Sequence, residues 1–542
     1  MGRSGLIFTI GTLVSRITGL LRGVLLVGAI STVGLVADAF DIANTLPNML
    51  FTLLAAGVLQ AIFMPQIMRA LKEDNATERL NKLLTVSISA LAIITVALFA
   101  ASPLLIRLFT LSGTWSPLAI ALAVAFAFWC VPQVLGYGIF SLLSEFLTAR
   151  GQFAAPAWAP VANNLVSIAG FGLFIIRYGQ AHGPLNELEY WTSSQTALLA
   201  GTATLGVACQ VAVMLIALRR GGFRYKVTFG LRGIGLRTAG KVVLWTIAAV
   251  LLEQGSVVYL RSMTSAAGQE AAAAGEIAAG NATFTNALTI YLLPHSLVVA
   301  SIIAVIFPRI SWHAANGNHD GVRQSFSTGV RTAGVFAVLA TAVLLVFPQA
   351  IMKTALPTIT LTEVNASAPV LQALAVSLLA LGANGLAKTM YYAYADGRSL
   401  FYFQALASAV MVAGILISTL TVDSRYWAVA ASLAYSVSIW LSLVLRLWGI
   451  RRHLGHFDGR RILRLYLRCS IAALLAAGAG WTVGRLMQAS GSVPYNSWAH
   501  AFALVVVGGL VMALVYVACL MAMRVDELRG AMAPLLRRIK RG

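Results

Sequence analysis

Two arginines, Arg16 and Arg22, lie in a stretch that is otherwise uncharged from Gly5 to Ile30. A guanidinium at mid-bilayer costs roughly 2.5 to 3.5 kcal/mol on insertion scales, so an arginine kept there faces a cavity or a partner. Six residues advance a helix by about 600° and 9 Å, so both side chains fit on one broad face and reach successive points of an extended anion. Their bidentate forks suit phosphate oxygens better than lysine does. Asp38 and Asp41, at i and i+3, share one helical face, with Asn48 deeper in the same segment. Each acid has two readings: a simple neutraliser of an arginine, or part of the site. Glu253 lies in a later apolar run, where it could bind a coupling cation, pair with Arg16 or Arg22, or sit beside Arg261 at the outer mouth. Pro160, in A-P-V-A-N-N, is expected to kink its helix and expose backbone carbonyls, as a hinge or as a substrate contact.

The elements that must hold these residues follow from composition. Of 542 residues 59% are hydrophobic and 11% charged, with a mean hydropathy of +0.83. A water-soluble domain carries about 25% charged residues, so a soluble enzyme, a disordered chain and a secreted disulfide scaffold are all excluded. The expected fold is an all-α polytopic membrane protein. Apolar runs bounded by charges and turn residues place helices near 5–31, 34–68, 83–109, 117–147, 153–177, 195–218 and 240–261. Seven more fall near 283–308, 327–351, 367–394, 400–421, 426–447, 464–488 and 499–523, making about 14 transmembrane helices.

The net charge of +21 is distributed by topology. With the N-terminus inside, 31 of the 39 Lys and Arg fall in cytoplasmic segments and six on the opposite face: Arg107, Arg177, Arg261, Lys353, Arg425 and Arg485. This is the positive-inside pattern, and it predicts a multi-pass protein of the plasma membrane with both termini in the cytoplasm. The basic excess then faces anionic membrane lipids, and no nucleic-acid partner is expected.

The chain also repeats itself. L-P-N-M-L at 46–50 precedes A-I-F-M-P-Q-I at 61–67, and L-P-H-S-L at 293–297 precedes A-V-I-F-P-R-I at 304–310. Leu135-Gly136 precedes Ala149-Arg150-Gly151, and Leu381-Gly382 precedes Ala395-Asp396-Gly397. The offsets of 247, 243 and 246 residues imply one duplicated six-helix unit. An even number of helices per unit gives parallel repeats, an arrangement found in transporters with the substrate site between the halves. The expected division is an N-terminal six-helix lobe (1–220), a C-terminal six-helix lobe (221–450), and two additional helices with a basic tail (451–542).

Enzyme signatures are lacking. Gly235 to Lys241 has Walker A spacing, but Val242 replaces the Ser or Thr that would hold magnesium, and no strand precedes it. His453, His456 and Asp458 resemble a metal set, but they stand among arginines in a short loop. The four cysteines have no C-x-x-C spacing. No catalytic residue, metal or cofactor is expected, so active transport would draw on the membrane potential, a monovalent-cation gradient or downstream consumption.

The opening constellation resembles a known family. Ser15-Arg16, Gly19, Arg22, Asp38-Ala39-Phe40, Leu46-Pro47-Asn48, Gly57 and Phe63-Met64-Pro65 are similar to the start of the MurJ (MviN) lipid II flippases. These belong to the multidrug/oligosaccharidyl-lipid/polysaccharide exporter superfamily. The resemblance continues through Pro160 and Leu293-Pro294 to Phe307-Pro308. It implies translocation of the undecaprenyl-pyrophosphate-linked peptidoglycan precursor (lipid II) from inner to outer leaflet by alternating access, with cell-wall synthesis and division proteins as candidate partners. By the same resemblance Arg16 and Arg22 would bind the pyrophosphate, Asp38 and Asn48 would support it, and helices thirteen and fourteen would form a groove for the lipid tail. Relatives carry an arginine after the L-P-N motif, where this chain has Phe51 and Thr52, and Arg and Glu before Pro294, where it has Thr289 and Leu292. Alternatives are a flippase for another polyprenyl-linked polysaccharide unit, a multidrug antiporter of the superfamily, and a non-transporting cell-wall scaffold.

Overall fold

The computed structural model describes residues 3–54, 76–110, 113–181, 188–230, 241–455, 457–489, 495–525 and 527. All regular structure among them is helical. Among the described residues eleven helices are long and apolar enough to cross a membrane, or twelve if the bent pair Leu361–Ala375 and Leu378–Ala393 counts as one span. The expected fourteen is therefore not reached by this measure. The second expected span is described only as far as Leu54, and the seventh carries Glu253, Gln254 and Arg261. The motifs at 57 and 61–67, the loop at 235–240 and His456 lie outside the described residues.

The chain forms two compact units, Met1–Ala282 and Thr283–Gly542. The first contains α1 (Arg3–Ile30), α2 (Leu35–Leu54), α3 (Ala76–Ala100), α4 (Ser102–Phe109), α5 (Pro117–Cys130), α6 (Gln133–Ala149), α7 (Ala154–Tyr178), α8 (Ser193–Arg220) and α9 (Lys241–Ala273). Within it α9 packs on α2 and α4, and Arg261 of α9 is bound to Asp41 of α2.

Helix ends in this unit carry their own stop signals. Ser116 accepts from the Ala119 amide ahead of Pro117, and Thr192 and Gln195 form a capping box at the start of α8. Pro47 and Pro160 lie inside α2 and α7 without ending either helix. Large apolar side chains such as Ile176 (84% exposed) point outward, as a hydrocarbon solvent permits.

The second unit contains α10 (Asn281–Pro294) from its third residue onward, a π-turn (His295–Val299), and α11 (Ala300–Ala315). These are followed by α12 (His319–Val346), α13 (Pro348–Ala355), α14 (Leu361–Ala375) and α15 (Leu378–Ala393). The last four are α16 (Gly397–Thr421), α17 (Trp427–Leu454), α18 (Gly459–Ala489) and α19 (Trp498–Ala522). The last two helices pack closely on the rest of the unit. Tyr466 donates to the Val330 carbonyl, Tyr516 to the Val335 carbonyl and the Trp498 indole to the Thr354 carbonyl. The Phe347 ring lies against Gly508, where any side chain would collide with it, and close to Gly480, whose nearest neighbour is Met512.

The repeated motifs hold comparable positions. Gly136 lies in α6, which ends before a positive-φ Gly151; Gly382 lies in α15, which ends before a positive-φ Ala395. The Leu-Pro motifs differ: α2 stays α-helical past Pro47, whereas Pro294 leads into the π-turn.

Candidate functional site

α1 carries Arg16 exposed and Arg22 half-buried. Neither forms an ion pair among the described residues. Their helix is fixed by α7: the Asn164 amide donates to the Ser15 carbonyl (2.9 Å) and to Thr18 Oγ1 (3.0 Å), on the turn between the two arginines. Gly11 lies against Ala157 and Trp158 of the same helix. Pro160, half-buried in the turn before Asn164, has no N–H for the Pro156 carbonyl, so α7 is weakened there although it stays unbroken.

Arg22 also interacts electrostatically with the Tyr137 hydroxyl on α6. Tyr137 donates to Gln133 Oε1 (3.2 Å), and Gln133 Nε2 donates to Thr204 Oγ1 (3.0 Å) and Asn44 Oδ1 (3.5 Å). The Phe51 ring, where relatives carry the further arginine, lies 6.1 Å from the Tyr137 ring. Asn48, one turn before it, is exposed, and its carbonyl accepts from Thr52 Oγ1 (2.8 Å). Thr289, at the other position where a charge was expected, donates to the Thr285 carbonyl (2.9 Å). This neutral network of Asn44, Gln133, Tyr137 and Thr204, and the anchor Asn164, escaped the sequence reading. The pairs Pro132-Gln133 and Asn163-Asn164 were the signals available for it.

The acids of α2 are placed differently from the expectation. Asp38 is fully buried, and its Oδ1 accepts from the Ala282 amide (2.7 Å) at the start of α10. Gly268 and Gly280 lie so close to its carboxylate that neither could carry a side chain. In this conformation Asp38 is closed off from any ligand, and its carboxylate joins α2 to the start of α10.

Asp41 Oδ2 accepts from Asn281 Nδ2 (2.6 Å) and from Arg261 (3.2 Å), whose guanidinium also reaches Asn281 Oδ1 (3.3 Å). Arg261 is only 5% exposed. The acid is therefore a neutraliser, and its partner is Arg261, not Arg16 or Arg22. Glu253 sits half-buried two turns before Arg261 on α9 and forms no ion pair with either arginine of α1; its carbonyl accepts from Ser256 Oγ (2.8 Å).

No group of three or more His, Cys, Asp or Glu able to hold a metal occurs among the described residues. What remains chemically available in the first unit is a pair of uncompensated guanidiniums on a helix fastened from behind. An anion with several oxygens is the ligand they can serve.

The fold is that of polytopic membrane transporters. A solved lipid II flippase MurJ in an inward closed conformation superposes with a TM-score of 0.71 over 96% of this chain and 99% of that one, at 19% identity. An inward-facing multidrug resistance MATE family transporter of the MOP superfamily gives 0.65 over 84% and 98%, at 16% identity. More narrowly, the family model of the lipid II flippase MurJ matches residues 29–527, and the chain belongs to that family. A probable lipid II flippase MurJ of Rhizobium meliloti is 25% identical over 351 residues, 63% of this chain. The match spans 61% of that relative's length. One from Borreliella burgdorferi is 21% identical over 82% of each chain.

Proposed function

We propose that this protein flips lipid II, the undecaprenyl-pyrophosphate-linked peptidoglycan precursor, from the inner to the outer leaflet of the bacterial plasma membrane by alternating access. The observation that carries the reading is that Arg16 and Arg22 have no carboxylate partner among the described residues, on a helix held by Asn164, while Asp38 and Asp41 are engaged elsewhere. A pyrophosphate headgroup supplies the missing anion, and the guanidinium forks lower its desolvation cost midway. Asn48, exposed and uncharged, is the supporting polar contact. A multidrug antiporter moving cations would want free carboxylates, and the α2 acids are both occupied.

Both termini face the cytoplasm in this proposal, as the distribution of Lys and Arg favours. An interior-negative potential then drives an anionic headgroup outward by about 2.3 kcal/mol per charge per 100 mV, so no nucleotide is required. A monovalent cation is a second source of coupling, with Glu253 as its candidate ligand. Helices α18 and α19 would guide the polyprenyl tail, and cell-wall synthesis and division proteins are the partners proposed downstream.

The test replaces Arg16 and Arg22 together by alanine in a strain depleted of its own flippase. The expected outcome is loss of growth with the variant present in the membrane at normal level. Growth at normal expression would sink the proposal.

A further inference from the structure

The second unit carries a groove that the flipping site does not use. It is a cavity of about 850 Å³ between α17 and α18, floored by α12 and α15, within the roughly 300 to 1,000 Å³ of ordinary ligand sites. It does not lie between α18 and α19, where the family resemblance puts the polyprenyl tail. Its walls are apolar, with Trp440, Leu447, Leu463 and Leu467 among them. Leu463 and Leu467 are 60% and 56% exposed along one face of α18. The Trp440 indole is held by a hydrogen bond to the Val376 carbonyl (3.0 Å). Interiors of proteins are close-packed, so an apolar trough of this size opening on the bilayer implies that acyl chain fills it.

One end of the groove is charged. Arg451, at the end of α17, and Arg460, at the start of α18, both line it and are both exposed. Neither has an ion pair or hydrogen bond among the described residues; Arg451 lies over the Phe457 ring at 5.6 Å. The acid between them in sequence is engaged by α12, since Asp458 Oδ2 accepts from Ser327 Oγ (3.0 Å), and it forms no ion pair with either arginine among the described residues. Two other arginines of this unit are engaged. Arg446, five residues earlier on α17, donates to Asn384 Oδ1 (2.7 Å) and Gln404 Oε1 (3.3 Å), and Arg331 pairs with Glu527. A trough for hydrocarbon ending in two free guanidiniums is complementary to one kind of molecule, a lipid with an anionic phosphate head.

We propose that the α17–α18 groove is a binding site for an anionic phospholipid, its phosphate on Arg451 and Arg460 and an acyl chain along Trp440, Leu447, Leu463 and Leu467. The lipid sits in the leaflet facing the 446–468 loop and belongs to the resting protein, independent of the cargo being flipped. It wedges α18 against α12, α15 and α17, the side of the helix opposite its partner α19.

The experiment is native mass spectrometry of the purified full chain with dioleoylphosphatidylglycerol or dioleoylphosphatidylcholine. The expected result is preferential retention of one phosphatidylglycerol, weakened about thirtyfold in the double variant Arg451→Gln/Arg460→Gln. The matched control Arg452→Gln/Arg461→Gln removes the same charge from neighbours that do not line the groove, and should keep the lipid within about twofold. Equal loss in both double variants would mean a diffuse basic surface, and equal retention of the neutral lipid would mean an apolar groove without headgroup recognition. Either result overturns the proposal. Unfolding temperatures in neutral detergent, expected to be unchanged for both double variants, separate loss of the site from loss of the fold.

Discussion

Arg261 and the pair Arg16 and Arg22 are the same side chain in opposite circumstances within one compact unit. Arg261 is buried, bound to Asp41 and shares Asn281 with it. Arg16 and Arg22 are more exposed and have no carboxylate among the described residues. A closed charge set of the first kind holds helices together; an open one of the second kind holds a ligand. The difference teaches that intramembrane charge alone does not mark a site, and that the accounting of partners does.

The largest effect is expected where the closed set is opened. Arg261→Ala leaves Asp41 and Asn281 with no cation, and removing one member of a buried pair costs about 3 to 5 kcal/mol. The unfolding temperature in detergent should fall sharply, with lower membrane abundance. If the variant were as stable as the parent, the α2–α9 contact would not be structural and the contrast drawn here would fail. Gly280→Ala, which forces a methyl into the Asp38 carboxylate, should lower stability by about 1 to 3 kcal/mol through the same junction.

A smaller effect of a different kind is expected at the open set. Arg16→Ala and Arg22→Ala singly should each weaken binding of a pyrophosphate-bearing lipid by about 10- to 100-fold, the worth of one or two charged hydrogen bonds. Unfolding temperatures should stay within measurement error of the parent's. Arg22→Lys restores the charge but not the fork, and should recover only part of the affinity. Binding measured in nanodiscs with the purified chain checks all three. A stability loss comparable to that of Arg261→Ala would move these arginines into the structural class.

The sequence showed Arg16 and Arg22 inside an apolar run, and Asp38 and Asp41 sharing a face. It could not show their partners. Arg261 lies 220 residues from Asp41, and the Ala282 amide 244 residues from Asp38, so the pairing exists only after α9 has packed on α2. The neutral network around Tyr137 was hidden for another reason: Gln, Asn, Thr and Tyr are tolerated in many helices, and only mutual geometry distinguishes a chain of hydrogen bonds from scattered polar residues.

The finest division between the two charge sets is offered by Asn164, which belongs to neither and supports one. Its amide makes two hydrogen bonds to the α1 turn between the arginines, and Asn164→Ala removes both at about 1 kcal/mol of stability. The larger consequence should be positional. With α1 free to rotate or slide on α7, the two forks no longer meet successive phosphates together, so affinity for a pyrophosphate-bearing lipid should fall more than affinity for a monophosphate-bearing one. Asn164→Asp keeps the shape but turns the donor into an acceptor facing the Ser15 carbonyl, and should do worse than alanine. Equal losses for the two lipids would show that Asn164 only glues helices, and would leave the spacing of Arg16 and Arg22 without a physical custodian.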